Sequence, residues 1–546
     1  MTLPGHSRLR AFVLAAFAAL ALASCGDDAD VASGPASLMP ADAPLYVEAV
    51  VSPEGEQAER IDALLAKLGE LPLIGTVTNP GDLIKGAIED SATSSGVSLD
   101  FAEDVDPWLG ERIGFSVLSA EDDAERFVAA LETTDEDATK AALQRILEED
   151  SVPNEEHTYE DVTYYTSGTG GYGVGVFDGH LVLATIAEFE AAVDAAAGSE
   201  NLADGDQLAD ATSGLADDRL ATLFLDLGQF AELMTESPED LEKLEQAKEA
   251  VPEIFEEPLA IGLGVDEQSI YVEQVSPELE GQPALAGSGN LASVPGDSLG
   301  AIGLDGLGDQ ITFVADLYDR AAEAGADLED YPKEGAAAAF EEETGIALAD
   351  ATAALGDGTL WVRGRAPDAL EIGSRVTVTD EETVTDLIDQ LREQAEEEEG
   401  ARAIGPPLDP SAEGFSVDLT VSDPTSEFEL LNLEVSDGSL RAGLFSQADS
   451  AESAPDPPEE ILGESEAFAR AEEVLGSEYE LLGLASLEPI IDAALAEAGL
   501  GSGVSPFGNP EVLAAGFIAD KFDVLAIGTS SSNGRTVVRF AQGIAE

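Results

Sequence analysis

The pattern of apolar and polar positions from about Leu38 onward changes repeatedly between two periods. Residues 45–51 form a short apolar run rich in β-branched and aromatic side chains, bounded by prolines, which predicts a strand. Ile61, Leu64 and Leu68 then recur at helical spacing, and this predicts a helix that ends at Gly69. The chain therefore reads as a mixture of strands and helices.

The same criteria predict a series of further elements before residue 276. They predict strands at 113–118, 158–166, 172–177, 180–186, 220–227, 259–265 and 270–275, and helices after Pro80 and at 101–110, 122–149, 187–197 and 229–250. Short glycine-containing turns separate the strands between residues 158 and 186. We therefore expect these strands to form an antiparallel meander.

The order of elements recurs after a segment rich in Pro, Gly and Ser at residues 276–296. Leu109-Gly110 before a strand corresponds to Leu355-Gly356, and a strand followed by an acid-started helix occurs at 115–131 and again at 376–391. We interpret residues 37–275 and 297–546 as two diverged tandem repeats of an α+β fold, joined by the 276–296 linker. Each repeat is expected to be a mainly antiparallel sheet with helices packed on one face.

The N-terminus has the features of a bacterial lipoprotein signal. Arg8 and Arg10 precede an apolar run at residues 11–21, followed by Leu22-Ala23-Ser24-Cys25, and this order is typical of a cleaved secretory signal. The alternative of an uncleaved anchor is disfavoured because the apolar run is shorter than the roughly 20 residues of a spanning helix. Residues 1–24 are thus the predicted signal peptide, Leu22 to Ser24 belong to the lipobox, and Cys25 is the predicted lipidation site.

Lipidation of Cys25 would place the protein at a membrane. Two or three acyl chains such as palmitate hold a protein stably at a bilayer, whereas one chain gives only marginal binding. Residues 25–36 form a polar tether, which as a flexible coil of about a dozen residues reaches roughly 20 Å. We expect the folded part on the extracytoplasmic face of the cell membrane, with the membrane as its partner through the N-terminal lipid.

The charge is strongly acidic, with 112 Asp and Glu against 24 Lys and Arg and a formal net charge of −88. Nucleic-acid binding is excluded because it requires clustered basic side chains. The acidity has two interpretations, recruitment of cations or a basic partner, and an adaptation that keeps the protein soluble. The second is favoured because the acids are distributed along the whole chain.

Two segments resemble a known family. Residues 39–46 (MPADAPLY) and 106–112 (DPWLGER) are similar to the corresponding parts of exported bacterial proteins of the DUF3352 family, a domain of unknown function. The resemblance extends over nearly all of the mature chain. It implies the α+β architecture, and it implies no activity, cofactor or site.

The sequence contains few residues that could carry catalysis. After the signal peptide only His157 and His180 remain, with no second cysteine, so zinc-binding spacings are absent and His180 is expected as a partly exposed turn residue. Residues 168–173 (GTGGYG) fit the dinucleotide pattern, but a strand follows them where that motif needs a helix, so they predict a hairpin loop. Trp108 and Trp361, beside predicted strand starts, are expected in the core. No metal or cofactor site is predicted.

These observations leave three functional hypotheses. The first is a lipid-anchored extracytoplasmic protein without catalytic activity, which acts in binding or envelope support. The second is a carrier or chaperone of an apolar, lipid-like ligand, since such sites are largely apolar with few polar groups. The third and least favoured is a hydrolase that uses only carboxylates.

Overall fold

The computed structural model describes most of the chain after the predicted tether. The described residues are 34–68, 101–119, 126–149, 154–167, 171–235, 237–287, 289–324, 332, 335–365, 369–397, 404–419, 428–446, 461–487 and 521–545. The chain divides into two compact units. Unit 1 comprises Met1–Leu244, Pro252–Pro277 and Ser531–Val537, and unit 2 comprises Glu245–Val251, Glu278–Ser530 and Val538–Glu546.

The first ten strands belong to unit 1. They are β1 (Leu45–Val50), β2 (Leu109–Ser119), β3 (Arg126–Thr133), β4 (Asn154–Tyr159), β5 (Val162–Ser167), β6 (Tyr172–Phe177), β7 (His180–Thr185), β8 (Ala221–Leu225), β9 (Leu259–Val265) and β10 (Ser269–Pro277). Their pairings with one another are antiparallel, in the order β10-β9-β8-β1-β2-β3-β7-β6-β5-β4. β1 therefore lies in the interior of the sheet, between β2 and β8.

Helices lie on both faces of this sheet. The helices in this part of the chain are α1 (Gly55–Leu68), α2 (Phe101–Asp104), α3 (Glu136–Glu149), α4 (Ile186–Ala196), α5 (Asp206–Thr212), α6 (Leu227–Met234), α7 (Pro238–Ala250) and α8 (Pro252–Glu256). α2 and α3 cover the face that carries Ile113, through a core with Phe101 and Ala142. Phe189 of α4 packs over Gly173 and Gly175 on the opposite face. The expectation of helices on one face is therefore wrong for unit 1.

The remaining ten strands follow the same order of pairing. They are β11 (Ser298–Leu304), β12 (Leu355–Arg365), β13 (Ala369–Val378), β14 (Ile404–Gly405), β15 (Glu413–Asp418), β16 (Leu430–Ser436), β17 (Ser439–Phe445), β18 (Glu480–Ser486), β19 (Phe522–Ser532) and β20 (Arg535–Ile544). They pair in the order β20-β19-β18-β11-β12-β13-β17-β16-β15-β14. The pairings from β19 to β14 are antiparallel.

The helices that follow β11 are distributed unevenly over strands β11–β20. They are α9 (Leu307–Glu323), α10 (Ala336–Thr344), α11 (Leu348–Ala353), α12 (Glu381–Ala395) and α13 (Glu466–Leu475). Asp380 caps α12 by accepting from the backbone N–H groups of Glu382 and Thr383. Val384 and Ile388 of α12 are buried against β15 and β16, and they form the core on that face. α9, in contrast, buries only Gly308.

Tight turns set the register of the hairpins. Asp178-Gly179 and Asp437-Gly438 adopt positive φ at both positions, which is the geometry of the two-residue turn that matches the twist of paired strands. They join β6 to β7 and β16 to β17. The predicted meander is thus confirmed.

Three predicted elements differ in the structure. Residues 126–133, predicted as helix, form β3, because Val128 to Ala130 are buried between β2 and β7 and tertiary pairing overrides the local helical preference. The predicted strand at 158–166 is instead the hairpin β4–β5, which turns at Glu160-Asp161. The long acidic helix divides at Pro238 into α6 and α7. Residues 115–131 therefore contain parts of two strands, β2 and β3, whereas residues 376–391 contain the end of β13 and the start of α12. The predicted match between these two segments is shifted by one strand.

The structure confirms a mixed helix-and-strand fold with a large antiparallel sheet. The predicted helix after Pro80 lies outside the described residues. Within the described part of the chain, every helix is too short or too polar to cross a membrane.

Candidate functional site

The predicted lipidation site cannot be placed in the fold. Cys25 and the lipobox residues Leu22, Ala23 and Ser24 lie outside the described residues. They remain predictions from the sequence.

Both remaining histidines are held by hydrogen bonds within unit 1. His157 Nε2 lies 3.0 Å from Thr166 Oγ1, and its ring stacks on Tyr164. His180 is only 3% exposed, so the prediction of a partly exposed turn residue is wrong. His180 Nδ1 donates to the carbonyl of Asp178 at 2.7 Å, and Nε2 is buried without a partner among the described residues. Its position in an interior strand, opposite Glu132 of β3, explains the burial.

Burial lowers the pKa of His180 below its ordinary value of 6.5. A lowered pKa in the folded state means that the contribution of His180 to stability is present above pH 6.5 and is lost as the pH falls. We expect His180→Asn, whose amide can still donate to Asp178, to lose less stability than the wild type between pH 7 and pH 5. Urea unfolding at several pH values measures this difference, and parallel curves for the two proteins would contradict it.

Paired strands flank the glycine-rich segment, and both tryptophans are buried. β5 ends at Ser167, β6 begins at Tyr172, and the two strands pair; residues 168–170 of the predicted hairpin loop lie outside the described residues. Trp108 lies in the core of unit 1, where Nε1 donates to the carbonyl of Asp104. Trp361 is also buried, but it lies in the middle of β12 rather than at its start.

A cluster of polar side chains is buried on the inner strands of unit 1. Tyr46 donates to Glu48 Oε2, and Arg112 Nη1 lies 3.0 Å from Glu48 Oε1. The backbone N–H of Arg112 donates to Glu132 Oε2 at 3.0 Å. We call Tyr46, Glu48, Arg112 and Glu132 the buried polar cluster. Sequence analysis missed it, because single charged residues in short strands give no periodic signal.

The electrostatics of the buried polar cluster follow from its burial. Desolvation raises the pKa of Glu132, while hydrogen bonding and the charge of Arg112 oppose this shift. Desolvation and the neighbouring Glu48 raise the pKa of the Tyr46 hydroxyl. Two carboxylates beside one arginine could in principle perform acid–base chemistry. Here, however, each group is engaged by another member of the cluster, which is the arrangement of a structural ion pair.

An exposed apolar surface occurs in unit 2. Ile302 of β11 and Leu360 of β12 are cross-strand neighbours on one sheet face, and Ile311, Val314 and Tyr318 follow one another along α9. All five side chains are between 37% and 47% exposed. Leu307, at the start of α9, packs over Gly358 on the same sheet face as Leu360. We call these five residues the α9 apolar surface.

Spacing along α9 shows why this surface is unusual. Residues three, four and seven positions apart lie on one side of a helix, and such an apolar stripe normally faces a core. In α9 the stripe of Ile311, Val314 and Tyr318 remains exposed although the helix starts against the sheet. Large exposed apolar patches mark sites of interaction with ligands, proteins or membranes.

Metal-ligating groups are not gathered at either location. Among the residues that the structure describes, no group of three or more His, Cys, Asp or Glu side chains could hold a metal ion.

Part of the chain matches the model of a known protein family. Residues 86–350 match the family model described as "Protein of unknown function (DUF3352)". The chain belongs to the DUF3352 family. No curated protein matches this DUF3352 protein significantly. One solved structure, titled "Structure of crystal form I of TP0453", aligns with 46% of the DUF3352 chain and 81% of its own, at 9% identity and a TM-score of 0.23. A TM-score of 0.23 does not establish a shared fold.

Proposed function

We propose that this DUF3352 protein is a lipid-anchored, non-catalytic protein of the extracytoplasmic face of the cell membrane, and that it acts by binding. We favour a carrier of an apolar, lipid-like ligand over a protein that supports the envelope. The observation that carries this choice is the α9 apolar surface, where five apolar side chains on α9, β11 and β12 stay exposed.

The chemistry of the expected ligand follows from what the surface offers. The α9 apolar surface presents aliphatic side chains and one tyrosine ring, which suit an acyl chain better than a polar metabolite. The tether after Cys25 keeps the folded part within roughly 20 Å of the bilayer, so acyl chains are the apolar ligands closest at hand. The buried polar cluster supports a non-catalytic role, because its charged groups bind one another.

The two-repeat organisation is part of the same proposal. Strands β1–β10 and strands β11–β20 each pair in one order, and the order in the second set is that of the first with every strand number increased by ten. A short 3₁₀ helix precedes the first strand of each set, at Pro35–Leu38 and Leu291–Ser293. Duplication of one ancestral unit accounts for this correspondence. The α9 apolar surface is then a specialisation of the second copy, since α1 buries Ile61 and Leu64 where α9 buries no apolar side chain.

Native mass spectrometry tests the apolar-ligand proposal. We expect residues 26–546, purified without detergent from their own cell envelope, to carry a lipid-sized mass that organic extraction removes. Leu360→Glu should abolish the bound mass, because it places a charge in the α9 apolar surface. Leu241→Glu is the matched control, since Leu241 is equally exposed in α7 of unit 1. A bare wild-type mass, or equal loss in both variants, would contradict the carrier function.

A further inference from the structure

Two arginines lie side by side on the face of the unit 2 sheet opposite α12. Arg375 of β13 faces Arg441 of β17 directly across the strand pair. Trp361 of β12 faces Gly373, two residues before Arg375, so its side chain lies on the same face. The Arg375 guanidinium lies 6.0 Å from the centre of the Trp361 ring. The three side chains therefore form one group on three adjacent strands.

Three N–H donors of this group lack an acceptor. Arg375 Nε, Arg441 Nε and Trp361 Nε1 are all buried, and none has a hydrogen-bond partner among the described residues. Trp361 is only 8% exposed, and its Nε1 edge lies over Gly373, where any side chain would collide with it. Buried donors are normally satisfied, since leaving one unpaired costs free energy. Three such donors on one sheet face indicate that an acceptor binds there.

The charge balance of the protein makes the arginines still more unusual. Acidic residues outnumber basic ones by 112 to 24, so a carboxylate partner is easily supplied. Arg363, on the same face, has one, with Nη2 2.6 Å from Glu371 Oε2. Arg375, in contrast, has no ion pair within the described ranges. Burial, and after it the positive charge of Arg441, lowers the pKa of Arg375.

Arg441 has two acidic neighbours within the described ranges, Glu434 and Asp409. Hydrogen bonds from Ser411, and after them the positive charge of Arg441, lower the pKa of Asp409. Arg441 Nη1 lies 3.7 Å from Glu434 Oε1, beyond hydrogen-bonding distance. The other oxygen of Glu434 accepts from Asn432 Nδ2 at 3.0 Å and from the backbone N–H of Asp409 at 3.2 Å. Glu434 is thus held by other donors, and neither Glu434 nor Asp409 forms an ion pair with Arg375 in the described part of the chain.

We propose that Arg375, Arg441 and Trp361 form a binding site for a single phosphate group, either free or as the headgroup of a lipid. Arginine is suited to phosphate because its N–H groups bond several oxygens at once. The three residues lie on three strands, and a phosphate offers four oxygens as acceptors where a carboxylate offers two. The surrounding negative charge restricts the site to small anions and excludes polyanions such as nucleic acids.

Isothermal titration calorimetry with residues 26–546 tests the site. The probes are inorganic phosphate, soluble dihexanoyl phosphatidic acid and acetate, at constant ionic strength. We expect phosphate to bind the wild type, with affinity at least tenfold weaker for Arg375→Gln and a few-fold weaker for Trp361→Phe. Arg392→Gln is the control, because Arg392 lies on α12 and is paired with Asp389 at 2.6 Å. Its affinity should equal that of the wild type.

The probes separate the two sources of phosphate. Tighter binding of phosphatidic acid than of inorganic phosphate, with the difference lost in Arg375→Gln, assigns the site to a lipid headgroup, and equal binding assigns it to free phosphate. Failure of the wild type to bind either probe, equal loss in Arg392→Gln, or acetate binding as tight as phosphate binding would overturn the proposal. Circular dichroism checks the fold of each variant, and Trp361→Phe, which keeps an aromatic ring and removes the indole N–H, decides the outcome if Arg375→Gln does not fold.

Discussion

We expect that replacing Cys25 with Ser abolishes lipid labelling and releases the protein from the membrane. The hydroxyl of serine cannot form the thioether that carries the lipid, and the remaining sequence offers no second cysteine. Stable anchoring requires two acyl chains or an additional signal, and residues after the tether supply no basic cluster for anionic lipids. Nearly all of the variant should therefore appear in the soluble extracytoplasmic fraction. Labelling with radioactive palmitate, followed by membrane fractionation, measures both effects.

Ser24→Ala is the matched control for this experiment. Alanine keeps a small residue before Cys25, so processing, labelling and membrane retention should match the wild type. Unchanged labelling of Cys25→Ser would show that the lipid is attached elsewhere. Loss of labelling without release would show that the protein is held by its folded part or by an uncleaved apolar run at residues 11–21.

Arg112→Met is expected to destabilise unit 1 by about 3–5 kcal/mol at pH 7, since breaking a buried ion pair leaves an uncompensated charge. Glu48 and Arg112 are 14% and 9% exposed and are separated by 3.0 Å. The substitution keeps most of the side-chain volume, so the loss comes mainly from the charge. Urea unfolding followed by circular dichroism measures the difference in the free energy of unfolding.

The pH dependence distinguishes this cause from a packing defect. Burial already raises the pKa of Glu132, and a raised pKa in the folded state means that stability from this group is present at low pH and is lost as the pH rises. Removing Arg112 removes a charge that opposes this rise. The destabilisation by Arg112→Met should therefore be smaller at pH 4 than at pH 7. A destabilisation independent of pH would assign the effect to packing.

Lys140→Ala is the control for the ion pair. Lys140 pairs with Glu136 at 2.7 Å on an exposed surface of α3, and such pairs contribute only about 0.3–0.5 kcal/mol. A similar loss in Lys140→Ala and Arg112→Met would contradict a special role for the buried polar cluster.

Local sequence patterns correctly predicted the elements in which the local conformational preference agrees with the tertiary packing. The strand at 45–51 and the hairpin that turns at Asp178-Gly179 were predicted because proline boundaries and two-residue turns act within a few residues. Residues 126–133 were missed because Ala, Leu and Glu favour a helix locally, while β2 and β7 bury these residues as a central strand. The position of His180 was missed for the same reason. A turn residue looks exposed in sequence, whereas its burial depends on the neighbouring strand.

The sequence by itself determined the acidic charge, the predicted lipid attachment at Cys25 and the mixed helix-and-strand class, because these depend on composition, a short linear motif and periodicity. Only the tertiary structure decided which polar and apolar side chains come together. Arg112 meets Glu48 from 64 residues away, and Arg375 meets Arg441 across a strand pair. Such contacts are set by strand order and register, which join distant segments and leave no mark in local spacing.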